Sequence, residues 1–138
     1  NQTSFQESIS NANIIVGAVL LPGGKAPCLI SNEEYKYLSE GTILVDVSID
    51  QGGCFAHSKA TTHLDPIYIH QGVRHYGVAN IPGAVPKTAS EAISQALIQP
   101  LKELKQTSLD VLIKEHASWR SALNTQGGLL KLEALKEK

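Results

Sequence analysis

The chain has 138 residues, of which 42% are hydrophobic and 18% charged, and its formal net charge is −1. This length is enough for one domain with its own core, and the charged fraction is below the roughly 25% of an average domain. The charge balance provides no basic surface for nucleic acid, and the longest apolar run, residues 14–21, is too short to span a membrane.

The first predicted strand covers residues 13–17, a short β-branched run that follows a polar, helix-like segment and leads to a Pro-Gly-Gly loop. A short helix is predicted next. Ser31 and Glu34 have the spacing of a capping box at its start, and we expect the helix to end near Leu38, before Gly41.

The second predicted strand covers residues 42–49, where valine and isoleucine occur at both odd and even positions. This pattern is typical of a parallel sheet that is covered on both faces. Asp50 and two glycines follow. Residues 67–70 and 73–76 flank Gln71 and Gly72, which predicts a hairpin whose second strand continues toward Asn80.

Beyond the proline-rich loop 81–86 the apolar pattern becomes helical. Thr88 and Glu91 form a second candidate capping box, and Pro100 predicts a kink or a break in the helix that follows. We expect a last helix over residues 108–123, with Trp119 on its apolar face, where it serves core packing.

Two polar residues follow predicted strands and are candidates for chemistry. The carboxylate of Asp50 can accept a proton, bind a cationic amine or hold a ribose hydroxyl, or it can cap a turn by accepting backbone N–H groups. The Asn80 amide can orient a carboxamide or a carboxylate, or stabilise a loop. In open parallel sheets, ligands bind outside the carboxyl ends of the strands. Asp46, inside its strand, is predicted to be a buried group satisfied by hydrogen bonds.

The cysteines and histidines give no metal pattern. Cys54, His57 and His63 are near one another in sequence, but their spacing matches no common zinc site, so we predict none. Cys28 and Cys54 form no C-x-x-C pair, which indicates a reduced, cytoplasmic protein. The chain has no methionine and begins with Asn1, so we expect a fragment or a processed piece.

Three separated segments resemble the carboxyl-terminal half of the bacterial L-alanine dehydrogenase family. They are GAVLLPGGKAP at residues 17–27, GTILVDVSIDQGGC at 41–54 and HYGVANIPGAVPKTAS at 75–90. The resemblance covers nearly the whole chain and implies an α/β fold, namely the carboxyl-terminal part of a Rossmann-like parallel sheet followed by two helices. We expect residues 1–86 to be a partial NAD-binding domain, with the helical segment 87–138 packing on it.

The family resemblance implies NAD-dependent, reversible oxidative deamination of L-alanine to pyruvate and ammonia in a hexameric enzyme. It places Asp50 at the catalytic position and Asn80 beside the substrate. The residues that it places along NAD are Val19, Leu20, Val47, Ser48, Ile49, Asp50, Val78, Ala79, Asn80 and Ile81. The family's phosphate loop, ribose-binding acid and catalytic lysine and histidine belong to segments that this chain does not contain. We therefore expect the chain alone to be inactive and to bind NAD weakly.

Two other interpretations stay open at this point. The nucleotide-binding subunit of proton-translocating NAD(P) transhydrogenase shares the architecture, but its segments resemble DLAAEAGGN and DLPSRLP where this chain has DVSIDQGGC and ANIPGAVP. Alternatively, the chain is a non-catalytic half of a split enzyme. Its partner would then be a separate amino-terminal half or further copies of the chain, since unpaired strand edges and uncovered apolar faces favour association.

Overall fold

The computed structural model describes residues 2–132, which divide into two compact units between Ile81 and Pro82. The first unit is a mixed α/β structure. Its elements are α1 (Gln2–Ser10), β1 (Ile14–Gly17), α2 (Asn32–Tyr35), β2 (Ile43–Asp46), β3 (Ile67–His70) and β4 (Val73–Tyr76). The predicted α/β class is confirmed.

The sheet of the first unit has the strand order β1-β2-β4-β3. Strands β1, β2 and β4 are parallel to one another, so their carboxyl ends lie at one edge. Strand β3 is antiparallel to β4 and forms the predicted hairpin. Gln71 and Gly72, at φ 48° and 78°, make its turn. Two left-handed residues give a two-residue turn the twist that matches the flanking strands.

The two faces of this sheet differ in burial. On one face, Leu44 and Val73 pack against Ile9 of α1 and Tyr35 of α2 in the hydrophobic core. On the other face, Ile14 and Val16 are each 60% exposed and Ile69 is 67% exposed. The expectation that both faces are covered is therefore wrong within the described residues, which bury one face and leave the other apolar and open.

The boundaries of α2 and β2 depend on side chains that bind the backbone. The predicted cap of α2 is confirmed, since the Glu34 carboxylate accepts a hydrogen bond from the Ser31 N–H at 2.8 Å. The helix ends at Tyr35, earlier than the predicted Leu38. Strand β2 ends at Asp46 and not at Ile49, because the Asp46 carboxylate accepts the Ser48 N–H at 3.0 Å and turns the chain.

The second unit consists of α3 (Pro86–Gln106), α4 (Leu109–Glu115), α5 (Ala117–Ala122), β5 (Thr125–Gln126) and β6 (Leu129–Leu130). Helix α3 starts at Pro86, since a proline suits the first helical position. Thr88 therefore lies inside the first turn, and the predicted capping box with Glu91 is wrong. Pro100 does not break the helix. Among residues 2–132, no helix is both long and apolar enough to cross a membrane.

The single last helix predicted over residues 108–123 is wrong, because His116 is extended (φ −119°, ψ 123°) and separates α4 from α5. The Arg120 guanidinium donates to the carbonyl oxygens of Ile113 and Lys114 at 3.0 and 2.8 Å. These bonds replace the amide donors that a continuous helix would supply. Trp119 is half-buried, and its indole N–H donates to Glu103 at 2.9 Å.

Candidate functional site

The loops that leave β1 and β2 are tied together at the carboxyl edge of the sheet. The Val47 N–H donates to the Gly17 carbonyl at 2.8 Å. The Ser48 hydroxyl donates to the Val19 carbonyl at 2.8 Å and accepts the Val19 N–H at 2.9 Å. Because a hydroxyl both donates and accepts, one buried side chain fixes the backbone of the neighbouring loop.

A cavity of about 210 Å³ lies between these loops, and its wall is mostly apolar. It is lined by Ala18, Val19, Leu20, Val47, Ser48, Asp50 and Gln51. The structure thus brings several predicted cofactor residues to one place. The sequence interpretation missed Ala18 and Gln51, although Gln51 directly follows Asp50 in the 3₁₀ turn Ile49–Gln51.

Asp50 and Asn80 meet beside this cavity. The Asn80 N–H donates to Asp50 Oδ2 at 3.2 Å, and Asp50 Oδ1 makes no hydrogen bond with the described residues. Asn80 has a left-handed backbone, with φ at 53°, and both side chains are exposed. Asp50 therefore stabilises the loop after β4 with one oxygen and keeps the other available to a ligand.

The other predicted cofactor residues do not line the cavity. Ile49 is 7% exposed and Val78 is fully buried, so their side chains belong to the interior. The Ala79 N–H donates to the Thr61 carbonyl at 3.2 Å. Ile81 begins a 3₁₀ turn, Ile81–Ala84. Val78, Ala79 and Ile81 are chain neighbours of Asn80, whereas Ile49 precedes Asp50 in the turn after β2.

A segment around Thr61 pairs with the residues that follow β4 and supports the Asn80 loop. The Thr61 N–H donates to the Gly77 carbonyl at 2.8 Å, and Thr61 forms a parallel bridge with Val78. Further along, His63 Nε2 lies 3.2 Å from the Asn80 carbonyl oxygen. The sequence interpretation considered His63 only as a metal ligand, and no spacing rule indicates a contact between residues so far apart in the chain.

Asp46 has the predicted role of a satisfied buried group. Its carboxylate accepts the Cys54 N–H at 2.9 Å in addition to the Ser48 N–H and the Ser58 hydroxyl. Burial, followed by the charge of Asp46, raises the pKa of the Cys54 thiol to about 12. A thiol held in its neutral form is a poor nucleophile. These residues are therefore part of the scaffold beneath the site.

The residues considered for a metal ion lie in different surroundings. Cys54 contacts Asp46, His63 contacts Asn80, and the His57 ring centroid lies 3.9 Å from that of His70. Within residues 2–132, no group of three or more histidine, cysteine, aspartate or glutamate side chains is arranged to hold a metal ion. The geometry brings these three side chains to no common point.

Comparison with known sequences shows which family the chain matches. The family described as alanine dehydrogenase/PNT, C-terminal domain, matches residues 1–133. The alanine dehydrogenase of Halomonas elongata is 39% identical over 134 residues, which cover 97% of this chain and 36% of the relative. That of Lysinibacillus sphaericus is 38% identical over 138 residues, covering 99% of this chain and 37% of the relative.

Comparison with solved structures finds similar folds. An L-alanine dehydrogenase structure matches with a TM-score of 0.76 and 34% identity, covering 99% of this chain and 38% of that protein. A transhydrogenase from Sinorhizobium meliloti matches with a TM-score of 0.70 and 25% identity, covering 97% of this chain and 36% of that protein. The chain thus spans little more than a third of the length of these relatives.

Proposed function

The chain belongs to the alanine dehydrogenase/PNT C-terminal domain family, and we propose that it is the carboxyl-terminal part of an NAD-dependent L-alanine dehydrogenase. The proposed reaction is the reversible oxidative deamination of L-alanine to pyruvate and ammonia. The observation that carries this proposal is the Asp50 carboxylate, which is fixed by the Asn80 N–H beside an apolar cavity at the carboxyl edge of the sheet.

The cavity is suited to the nicotinamide end of NAD. Val19, Leu20 and Val47 provide apolar contacts for a flat ring, and the hydrogen bonds of Ser48 keep the Val19 backbone in place. When bound, NAD would supply the acceptor for the hydride of the substrate carbon. The phosphate groups of the cofactor require a glycine-rich loop at a helix amino terminus, which we assign to a part of the enzyme outside this chain.

Asp50 and Asn80 are the residues that we assign to the substrate. Loss of hydride turns the amine of alanine into a cationic imine, and a nearby carboxylate stabilises that cation and helps water to attack it. Oδ1 of Asp50 is free of hydrogen bonds with the described residues and can take this role. The Asn80 side chain can bind the substrate carboxylate through its amide donor.

We further propose that the chain acts together with more polypeptide, either an amino-terminal half or other subunits of a homo-oligomer. The open face of the sheet, with Ile14 and Val16 each 60% exposed, supports this. So does α3, in which Leu97 and Leu101 are 51% and 61% exposed. Apolar surface of this kind is usually covered by other protein. The free thiols Cys28 and Cys54 favour a cytoplasmic location for the enzyme.

The alternative is a nucleotide-binding part of a transhydrogenase. The lower identity to the transhydrogenase structure, 25% against 34% for the alanine dehydrogenase structure, favours the dehydrogenase. Asn80 in the segment ANIPGAVP favours it as well, because the transhydrogenase segment DLPSRLP contains no asparagine. A requirement for alanine in NAD reduction separates the two functions.

The test uses a chimera in which this chain replaces the matching region of the Lysinibacillus sphaericus alanine dehydrogenase. We expect the purified chimera to reduce NAD only when L-alanine is present, while the chain alone shows no turnover. Turnover by the isolated chain near the usual enzyme range of roughly 1 to 1000 per second would contradict the assignment of the phosphate loop to a part of the enzyme outside this chain. A folded chimera without alanine-dependent activity would contradict the proposed function itself.

A further inference from the structure

His63 contacts the site through the backbone of Asn80. Its Nε2 atom lies 3.2 Å from the Asn80 carbonyl oxygen. Because a carbonyl oxygen only accepts, Nε2 carries the hydrogen and donates it. Asn80 is thus held on both sides, since its N–H donates to Asp50 and its C=O accepts from His63.

Asn80 has a left-handed backbone conformation, which the two hydrogen bonds on its N–H and C=O stabilise. Its φ of 53° lies in the left-handed region, which only glycine, and to a lesser degree asparagine and aspartate, adopts readily. A hydrogen bond on each flanking peptide unit fixes both the φ and the ψ side of such a residue. The direction of the exposed Asn80 side chain follows from that backbone.

His63 is itself held in register with the loop. Thr61 pairs with the residues that follow β4. Its N–H donates to the Gly77 carbonyl at 2.8 Å, and its C=O accepts the Ala79 N–H at 3.2 Å. These bonds carry the segment alongside the Asn80 loop. His63 then extends the pairing by a side-chain bond to Asn80, where the backbone pairing has ended.

We propose that His63 is a positioning residue of this site, which sets the orientation of Asn80 and, through it, the hydrogen bond to Asp50. This inference rests on the proposed function. It assigns to His63 no contact with substrate or cofactor. The bond requires only that Nε2 carries a hydrogen, which is true of the neutral tautomer protonated there and of the cationic ring alike.

The first test measures Asn80 in the full chain by NMR. His63→Leu removes the donor at similar size, while His63→Gln keeps an N–H that can reach the Asn80 carbonyl. Leu64→Ala, at a neighbouring side chain that is 99% exposed, is the control. We expect His63→Leu to shift the Asn80 amide signal and the Asp50 carboxyl signal, and the other two variants to leave both near their original positions. Unchanged signals in His63→Leu would overturn the inference.

The second test places the same variants in the alanine dehydrogenase chimera. Loss of one hydrogen bond predicts a fall of about threefold to tenfold in kcat/KM for alanine, with rescue by His63→Gln and an unchanged melting temperature. Full activity in His63→Leu would contradict the positioning role even if the NMR signals move. A folded parent chimera without activity would contradict the proposed function, whereas the NMR result still decides whether His63 positions Asn80.

Discussion

The backbone N–H of Asn80 donates to the carboxylate of Asp50 at 3.2 Å, although the two residues follow different strands of the sheet. Asp50 lies in the turn after β2, and Asn80 lies in the loop after β4. The parallel pairing of β2 and β4 brings these two exits to one edge. The Asp50 carboxylate and the backbone of Asn80 are thereby placed together beside a cavity.

Replacing Asn80 with glycine tests the side chain without straining the backbone. Glycine adopts a φ of 53° freely, so we expect little change in stability. If the amide binds the substrate carboxylate, the chimera should lose about 10-fold to 100-fold in kcat/KM for alanine. Gln71→Gly is the matched control, because Gln71 is also left-handed, at φ 48°, but lies in the hairpin turn. Equal activity of the two variants would exclude this role for Asn80.

Asp46→Asn should destabilise the chain by about 2 to 4 kcal/mol. One carboxylate oxygen accepts the Ser48 N–H and the other accepts the Cys54 N–H. In either orientation, the NH₂ group of the asparagine would therefore face a backbone N–H donor instead of an acceptor. Urea unfolding of the whole chain measures the change. Asp50→Asn is the same substitution at an exposed site and should stay within about 0.5 kcal/mol, so similar losses in both variants would contradict the scaffold role of Asp46.

Gly52 and Gly53 both have positive φ, 96° and 81°, but only Gly53 is crowded. A Cβ at Gly53 would lie 2.3 Å from Ser58 Cβ and 2.8 Å from Asp46 Oδ2, whereas one at Gly52 would meet nothing within 4 Å. Gly52→Ala should cost about 1 to 2 kcal/mol through its backbone. Gly53→Ala should cost about 1 to 3 kcal/mol more through the clash. Equal unfolding free energies of the two variants would show that the packing around Asp46 accommodates the added methyl group without loss of stability.

The buried imidazole of His75 predicts a loss of stability in acid. Burial lowers the pKa of His75 to about 4, with the nearby His70 and His57 adding to the shift and Asp46 opposing it. The Tyr35 hydroxyl bonds its Nε2, and the Tyr68 ring stacks on it at 4.7 Å between centroids.

An unfolded histidine titrates near 6.5, so between about pH 6.5 and 4 the unfolded chain binds more protons than the folded chain. The free energy of unfolding is therefore not reduced by this titration above about pH 6.5, and it falls as the pH is lowered through this window. We expect the chain to be about 1 kcal/mol less stable at pH 5 than at pH 7, allowing for solvent screening. Urea unfolding at both values checks this. His75→Gln should reduce the difference, and an undiminished difference would show that other groups cause it.

Much of the first unit follows from local sequence pattern. The β-branched run of β1, the Ser31 cap and the left-handed pair Gln71-Gly72 each determine their structure through neighbours in the chain. The end of β2 does not, because it depends on the Asp46 carboxylate taking N–H groups from beyond the strand. Likewise, the break at His116 is stabilised by Arg120, whose bonds to Ile113 and Lys114 no periodic pattern encodes.

For the candidate site, too, the sequence pattern predicts only part of the arrangement. The position of Asp50 after an apolar strand predicts its place at the carboxyl edge of the sheet. Its partner atom is a backbone N–H, however, and a backbone group carries no sequence signature. The contact of His63 with Asn80 depends on the pairing of Thr61 with the residues that follow β4. That pairing lies outside the regular strands, so neither periodicity nor motif spacing predicts it.

The most direct test of the site is alanine-dependent NADH formation by the chimera with Asp50→Asn. Asp65→Asn is the control, because Asp65 is an exposed aspartate whose side chain makes no hydrogen bond with the described residues. If Asp50 stabilises the cationic imine and assists water, its loss should lower kcat/KM for alanine by about 100-fold or more, while the control stays within about twofold. An Asp50→Asn chimera as active as its parent would contradict the assignment of this carboxylate to catalysis.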